Sequence, residues 1–426
     1  MDGEPRPRAI DLQASSAPPD RRHSARPIAA RSVARRTLLA SCTAHALHDG
    51  YTDLTYVLLP IWQAEFAIGY AMLAALRGLY AGAMAGLQVP VARIAERSGG
   101  RRILVLGTGV AALGYLFAGT TGSLAGLALA LTVSGAGASV QHPIGSSAVS
   151  RAYASGGARA ALGTYNFSGD LGKAAIPAVL SVLLTVVAWR AAVCWIAVAG
   201  LVVAGAIAAV MPRTIRAPNR SVRAARSTAG AKRGAFSLLL AIGVLDTGVR
   251  MGFLTFLPFL LGRKAATGPT IGLALALVFV GGAAGKFTCG WLGHRIGVVW
   301  TVVLSEGGTA ACIVAVLLLP LHPALVLLPV LGVMLNGTSS VLYGTVPDLV
   351  PDHRAERAFA VFYTGTIGSG ALSPVLFGLL GNAVGPLWAT AATAVTATAT
   401  LPLILALGPQ LADPPPDHLE PAPERG

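Results

Sequence analysis

The sequence predicts an all-α membrane protein: about twelve transmembrane helices in two six-helix bundles related by pseudo-two-fold symmetry. Composition is the first observation behind this. Hydrophobic residues make up 54% of the chain and charged residues 12%, about half the charged share of a soluble domain, and the mean hydropathy is +0.66. The second is an internal offset. Ala95-Glu96-Arg97-Ser98-Gly99-Gly100-Arg101-Arg102 and Gly293-His294-Arg295-Ile296-Gly297 each separate one apolar run from the next, and Arg97 and Arg295 stand 295 − 97 = 198 residues apart. Leu59-Pro60 and Leu257-Pro258 repeat that offset. Two landmarks in one register mark a duplication.

Taken in order, residues 1–36 are rich in Arg, Pro, Ser and Ala without helical periodicity, which predicts a disordered basic tail. Apolar runs of about 20 residues, enough to cross about 30 Å of hydrocarbon, then place six spans at 37–62, 69–92, 103–121, 124–146, 161–186 and 189–211. These form an N-terminal bundle over 37–211. The basic, apolar-poor stretch 212–235 reads as a linker between units that move against each other. A second bundle over 236–408 has spans at 236–261, 269–292, 297–319, 322–346, 357–380 and 384–407, and a tail follows over 409–426 with Pro414-Pro415-Pro416 among acids.

The net charge of +14 would suggest nucleic acid in a soluble protein, but here the cations lie in alternate loops. Arg31, Arg35, Arg36, Arg93, Arg97, Arg101, Arg102, Arg151, Arg213, Lys232 and Arg295 share one side, and only Arg190, Arg263 and Lys264 lie on the other. The positive-inside rule predicts both termini in the cytoplasm of an inner-membrane protein and removes any need for a nucleic-acid partner. Cys42, Cys194, Cys289 and Cys312 fall singly inside apolar spans, without CxxC spacing, and read as packing residues. The small-residue repeats Gly78, Gly82, Gly86 and Gly281, Gly285 read as close helix seams.

An ionisable side chain at bilayer depth is a functional candidate, since insertion costs about 2.5–3.5 kcal/mol. His45, Asp49 and Asp53 follow at spacing four along the first span, on one stripe. They are the candidate proton carriers. Arg77 lies about eight residues into the second span, ~12 Å deep, where it can pair with Asp49 or Asp53. Asp170 with Lys173, and Asp246 with Arg250, are opposite charges at helix-neighbour spacing that permits self-pairing. Together with His142 and Arg77 they are the candidate solute-binding residues, and their mixed signs suit an anionic or zwitterionic solute. Lys286 and Glu306 stand close enough to span ends to snorkel, which predicts structural roles. The histidines are scattered in sequence, and no metal or cofactor is expected.

Six helices, a basic linker and six more, with a charged turn between the second and third helices of each half, resemble the major facilitator superfamily over residues 37–407. Its G-x-x-x-D-R-x-G-R-R signature is approximated by Ala92 to Arg102, with Glu96 for the acid and one extra residue, Gly99. Gly290 to Gly297 resembles a fainter copy. The resemblance implies a cytoplasmic gate at Glu96, Arg97, Arg101, Arg102 and Arg295. His45, Asp49, Pro60, Gln63, Glu65 and Phe66, with Gly135 to Pro143 and Ser155-Gly156-Gly157, are similar to the fosmidomycin-resistance-type exporters within it. Drug exporters of the superfamily tend to carry Gly-Pro in the fifth helix, where this chain has Gly169-Asp170-Leu171-Gly172-Lys173. These likenesses imply a monomeric secondary transporter in the lipid bilayer, a proton antiporter for efflux of a small organic or drug-like solute. Uptake of a small organic anion is the alternative. An integral-membrane enzyme would need a nucleophile or metal motif, and neither H-E-x-x-H nor G-x-S-x-G occurs.

Overall fold

The computed structural model describes residues 21–154, 157–213, 233–350 and 355–411, and all of its regular elements are helical. The first half comprises α1 (Arg21–Phe66), α2 (Tyr70–Ser98), α3 (Gly100–Thr120), α4 (Leu124–Ala138), α5 (Gln141–Ala152), α6 (Ala158–Leu183) and α7 (Trp189–Val210). The second comprises α8 (Arg233–Arg263), α9 (Gly268–Leu318), α10 (Leu321–Thr345), α11 (Ala355–Val384) and α12 (Pro386–Leu411), with a 3-10 turn over Val346–Leu349.

These elements differ from the sequence reading at four places. Helix α1 begins at Arg21, so residues 21–36 continue the first span; Ala and Arg carry high helix propensity, and the span supplies the nucleus they extend. The span expected at 124–146 is broken into α4 and α5 at Ser139-Val140. Pro143 has no N–H to offer the Ser139 carbonyl four residues back. The spans expected at 269–292 and 297–319 are two arms of α9, divided at Gly297 (φ 81°, ψ 166°). The last helix runs to Leu411, beyond the expected start of the tail. Residues 1–20, most of the linker (214–232) and 412–426 lie outside the described residues.

Nine described helical stretches are long and apolar enough to cross a membrane. Helices α1 and α6 fall short only because they carry His45, Asp49, Asp53, Asp170 and Lys173; with them, and with α9 taken as two arms, the chain crosses about twelve times. Buried charge is not confined to these two, since α2, α8 and α9 carry Arg77, Asp246 and Glu306.

The halves repeat each other in three dimensions. Helix α1 packs on α6 as α8 packs on α11, and α3 packs on α7 as the second arm of α9 packs on α12. The backbone repeats too. Among the described residues, two that are not glycine have positive φ, Ala67 (51°) and Ala265 (61°), and they are 198 residues apart. Gly99 (89°) and Gly297 (81°) share that spacing. Gly99, which reads from sequence as an extra residue in the signature turn, is thus the position at which the chain reverses direction.

Two helix pairs make most of the contact between the bundles, α2 with α11 and α6 with α9, and α1 and α2 also touch α8. Their closest contacts lie at the end remote from the basic turns. The Tyr70 N–H donates to Asn382 Oδ1 at 2.7 Å, and the Tyr70 ring meets Phe256 and Phe259 at 5.5 and 5.0 Å. A Cβ on Gly378 would come within 2.7 Å of Ala71 Cα. Toward the basic end, a Cβ on Gly82, Gly86 or Gly368 would meet nothing within 4 Å. The seam expected along Gly78, Gly82 and Gly86 is therefore closed only at Gly78, which faces the Ala371 carbonyl at 3.4 Å. Gly281 and Gly285 do form the expected close seam, against the Pro329 and Val333 backbones of α10. The bundles form a wedge, shut at one end and open at the other.

A left-handed backbone strains any residue with a Cβ by about 1–2 kcal/mol. Ala67→Gly and Ala265→Gly are each expected to stabilise the protein by about 0.5–1 kcal/mol after the added freedom of the unfolded glycine is counted. Thermal unfolding of the purified variants checks this, and an unchanged or lower midpoint would contradict it.

Candidate functional site

Helix α6 lies close on α1 because glycines face it. A Cβ on Gly172 would strike the Ala46 carbonyl, and one on Gly169 would come within 2.6 Å of Asp49 Oδ2 and 2.7 Å of His45 Nε2. This approach brings together residues distant in sequence. His45 and Asp49 are 4% and 7% exposed. Lys173 Nζ lies 3.2 Å from Asp49 Oδ2 and 3.8 Å from Asp170 Oδ1. Across the bundle boundary, Lys286 Nζ of α9 donates to both oxygens of Asp170 at 2.6 and 2.7 Å. The result is a chain of alternating charge, Asp49, Lys173, Asp170, Lys286, running from one half into the other. Lys173 thus sits nearer Asp49 than Asp170, and Lys286, expected to snorkel, instead joins the bundles.

The hydrogen bonds of His45 fix where its proton lies. Its Nδ1 is 2.8 Å from the Tyr165 carbonyl, which only accepts, so Nδ1 carries a hydrogen and donates. Its Nε2 faces Asp49 Oδ2 at 3.4 Å. The same oxygen lies 3.2 Å from Lys173 Nζ, so the imidazole edge and the ammonium share it. The Tyr165 ring stacks on His45 with centroids 4.2 Å apart. On the other side, His142 Nε2 is 4.0 Å from Asp49 Oδ1, and its ring stands edge-on to His45 at 5.3 Å. His142 therefore flanks the acid with its own side chain 45% exposed.

His45, Asp49 and His142 each offer one ligand atom within 4.8 Å of the others, a donor set suited to a divalent transition metal. The histidines that look scattered in sequence are gathered by the fold. The Lys173 ammonium beside Asp49 already supplies a cation to this carboxylate.

A cavity of ≈ 120 Å³ opens between the bundles, lined by Asp53, Asp170, Lys173, Arg250, Lys286 and Asn336, with Met251, Leu254 and Phe279 as apolar walls. Three cations and two acids face it. Of the candidate solute residues, the fold brings Asp170, Lys173 and Arg250 to this cavity. Arg77 lies beneath it, 3% exposed, stacked 4.3 Å over the Tyr56 ring with Nη2 3.8 Å from Asp53 Oδ1. It pairs with Asp53 rather than with Asp49. Asp246 turns into the second bundle, where its carboxyl lies within hydrogen-bonding reach of Glu306. Glu306 is 1% exposed and does not snorkel. Helix α9 restarts after Gly297, and nine residues on, Glu306 points at α8.

At the basic end, Arg101 reaches the Ala208 carbonyl at the close of α7. Glu96, Gly99, Arg101, Arg151 and Arg213 line an open pocket of ≈ 370 Å³. Arg97 and Arg102 are exposed, and Arg295 lies 5.2 Å over the Trp291 ring. Glu96 forms no ion pair with another described residue.

The Major Facilitator Superfamily model matches residues 42–262 and again 238–426, one match for each half. The cephamycin export protein of Amycolatopsis lactamdurans is 34% identical over 125 residues, 29% of this chain and 26% of that protein's length. Among solved structures, a bacterial homologue of the human lysosomal transporter Spinster, inward-facing and occupied, superposes with a TM-score of 0.72 at 16% identity, covering 87% of this chain and 96% of that one. A POT family transporter in complex with 5-aminolevulinic acid gives 0.70 at 12% identity, over 89% and 97% of the two chains. Both likenesses are of fold.

Because Gly169 leaves no room for a Cβ, Gly169→Ala is expected to push His45 and Asp49 apart, at about 1–3 kcal/mol of overpacking. Gly163→Ala, where a Cβ meets open space, serves as the control. Equal unfolding midpoints for the two variants would show that α6 does not press on the pair.

Proposed function

The chain belongs to the major facilitator superfamily, and on that premise we propose that it exports a small organic anion or zwitterion in exchange for protons. On this reading the basic loops and both termini face the cytoplasm, which the positive-inside rule supports. The two bundles rock about the charged cavity, and the wedge is open to the cytoplasm.

One observation carries this reading, the Lys286 to Asp170 contact across the bundle boundary at 2.6 Å. Rocking must alter it, and its acid belongs to the same chain of charges as the proton-holding His45 and Asp49. A proton gained by Asp49 frees Lys173 to compete with Lys286 for Asp170. A bound anion would draw both lysines. Proton and solute thus act on the same two ammonium groups, which is the physical requirement for coupling: each ligand must prefer a different state.

The wedge supports the cycle. Gly82 and Gly86 on α2 and Gly368 on α11 offer small surfaces for the opposite seam, and Glu96 with the exposed arginines offers a latch that closes with it. The cations around the cavity support an anionic or zwitterionic cargo. The direction is supported by the partial likeness to an export protein, and uptake of an organic anion would use the same geometry in reverse.

The test uses everted membrane vesicles with an imposed pH gradient and a labelled cephamycin as the first probe, followed by phosphonates and carboxylates. Accumulation driven by an acid interior and abolished by a protonophore is expected. Asp49→Asn, Asp170→Asn and Lys286→Met are each expected to lower the rate about tenfold or more, since a charge-assisted contact contributes about 1.5–3 kcal/mol. Wild-type rates in all three, or accumulation indifferent to the gradient, would end the proposal. Asp53→Asn and Arg77→Gln extend it: transport that survives both would confine the proton path to His45 and Asp49.

A further inference from the structure

The second bundle holds a charged cluster that the cycle above leaves unused. Asp246 on α8 and Glu306 on the second arm of α9 are 3% and 1% exposed. Their carboxyls lie within hydrogen-bonding reach of each other, and Thr338 of α10 reaches Glu306. Thr338 Oγ1 is tied in turn to Ser305 Oγ at 2.8 Å. Glu306 Oε2 is buried without a partner. Two ionised carboxylates cannot share such a space, and two carboxyls in contact need a hydrogen between them.

Arg250 gives a second, independent observation. It stands one turn after Asp246 on α8, where an ionised Asp246 would attract it strongly in a dry interior. Among the described residues it forms no ion pair or hydrogen bond, its Nε is buried without a partner, and it lines the solute cavity. Arg250 lies within Coulombic reach of Asp246, Glu306 and Asp53 yet closes an ion pair with none of them, the arrangement that a neutral Asp246 leaves. The other titratable group facing the cluster is the Tyr343 hydroxyl of α10, which is engaged with Thr366 Oγ1 at 3.0 Å.

The duplication gives a third. Counting back 198 residues, Asp246 and Glu306 correspond to His48 and Thr108. Those two are also in contact, His48 Nε2 lying 3.0 Å from Thr108 Oγ1. The Thr108 hydroxyl donates to the Leu104 carbonyl at 2.8 Å, so His48 Nε2 carries the hydrogen that joins the pair. Both halves thus put a hydrogen-bonded polar pair between the same two helices, neutral in the first half and acidic in the second.

We propose that Asp246 and Glu306 share one proton and form a second proton-binding site, distinct from His45 and Asp49, whose occupancy decides whether Arg250 faces the solute or turns to Asp246. With the proton in place, Arg250 is released to the cavity. When the proton leaves to water, Asp246 becomes an anion and takes Arg250 back. The proposal rests on the transport reading above for the role of Arg250, while the shared proton itself does not.

Infrared difference spectra of the purified full-length protein, titrated with acid and base, read the shared proton without any solute. The wild type is expected to show a protonated-carboxyl band at neutral pH that shifts or disappears in Asp246→Asn and in Glu306→Gln, and persists in Asp49→Asn. A band unaltered by both substitutions, or its absence from the wild type, overturns the proposal. Gel filtration confirms that each variant is folded, and the doubly neutral Asp246→Asn/Glu306→Gln protein, an isostere of the protonated pair, provides a second reading: it too must lack the band. A shifted band in protein whose transport ignores the pH gradient would retain the shared proton and remove only its link to transport.

Discussion

An unpaired charge in hydrocarbon is so costly that most of the described ions inside this protein are placed by the need for a partner. Asp49 is served by His45, Lys173 and His142, Asp170 by Lys286, and Asp53 by Arg77. Few of these pairs lie on one helix. The charges therefore bind helices together as the hydrophobic effect cannot, since lipid tails are as apolar as a leucine face. The same constraint makes the arrangement changeable, because a proton or an anion alters which partner each ion needs.

Duplication supplies the frame on which those charges are hung. Left-handed residues recur at Ala67 and Ala265 and at Gly99 and Gly297, so the turns that set each bundle's geometry are shared. The charged positions are not shared: His45, Asp49 and Asp53 have no acidic counterparts 198 residues later, and Asp246 and Glu306 stand where His48 and Thr108 do. The frames are equal and the charges unequal, so most of the described buried histidines and carboxylates fall in the first bundle.

Backbone proximity explains why the site sits where it does. Glycines at 169 and 172 let α6 lie against α1 closely enough for a lysine on one to reach an aspartate on the other. Larger residues would separate these helices by the width of a side chain and leave both ions to lipid or water. Packing and electrostatics are thus one device here.

Periodic apolarity, the alternation of cationic loops and the fixed offset determined the bundles, the spans and the list of ionisable residues, because length and hydropathy are properties that each segment carries alone. Pairing is not such a property. Self-pairing of Asp170 with Lys173 was available from spacing, yet Asp170 is held chiefly by Lys286 of the other bundle. Glu306 and Lys286 looked close enough to helix ends to escape into water, and the signature turn seemed to contain an extra residue. Their true roles follow from the kink at Gly297 and from helix contacts across hundreds of residues. Only the tertiary structure decided which buried ions meet, because distances between helices depend on where small side chains permit close approach, and no single helix contains that information.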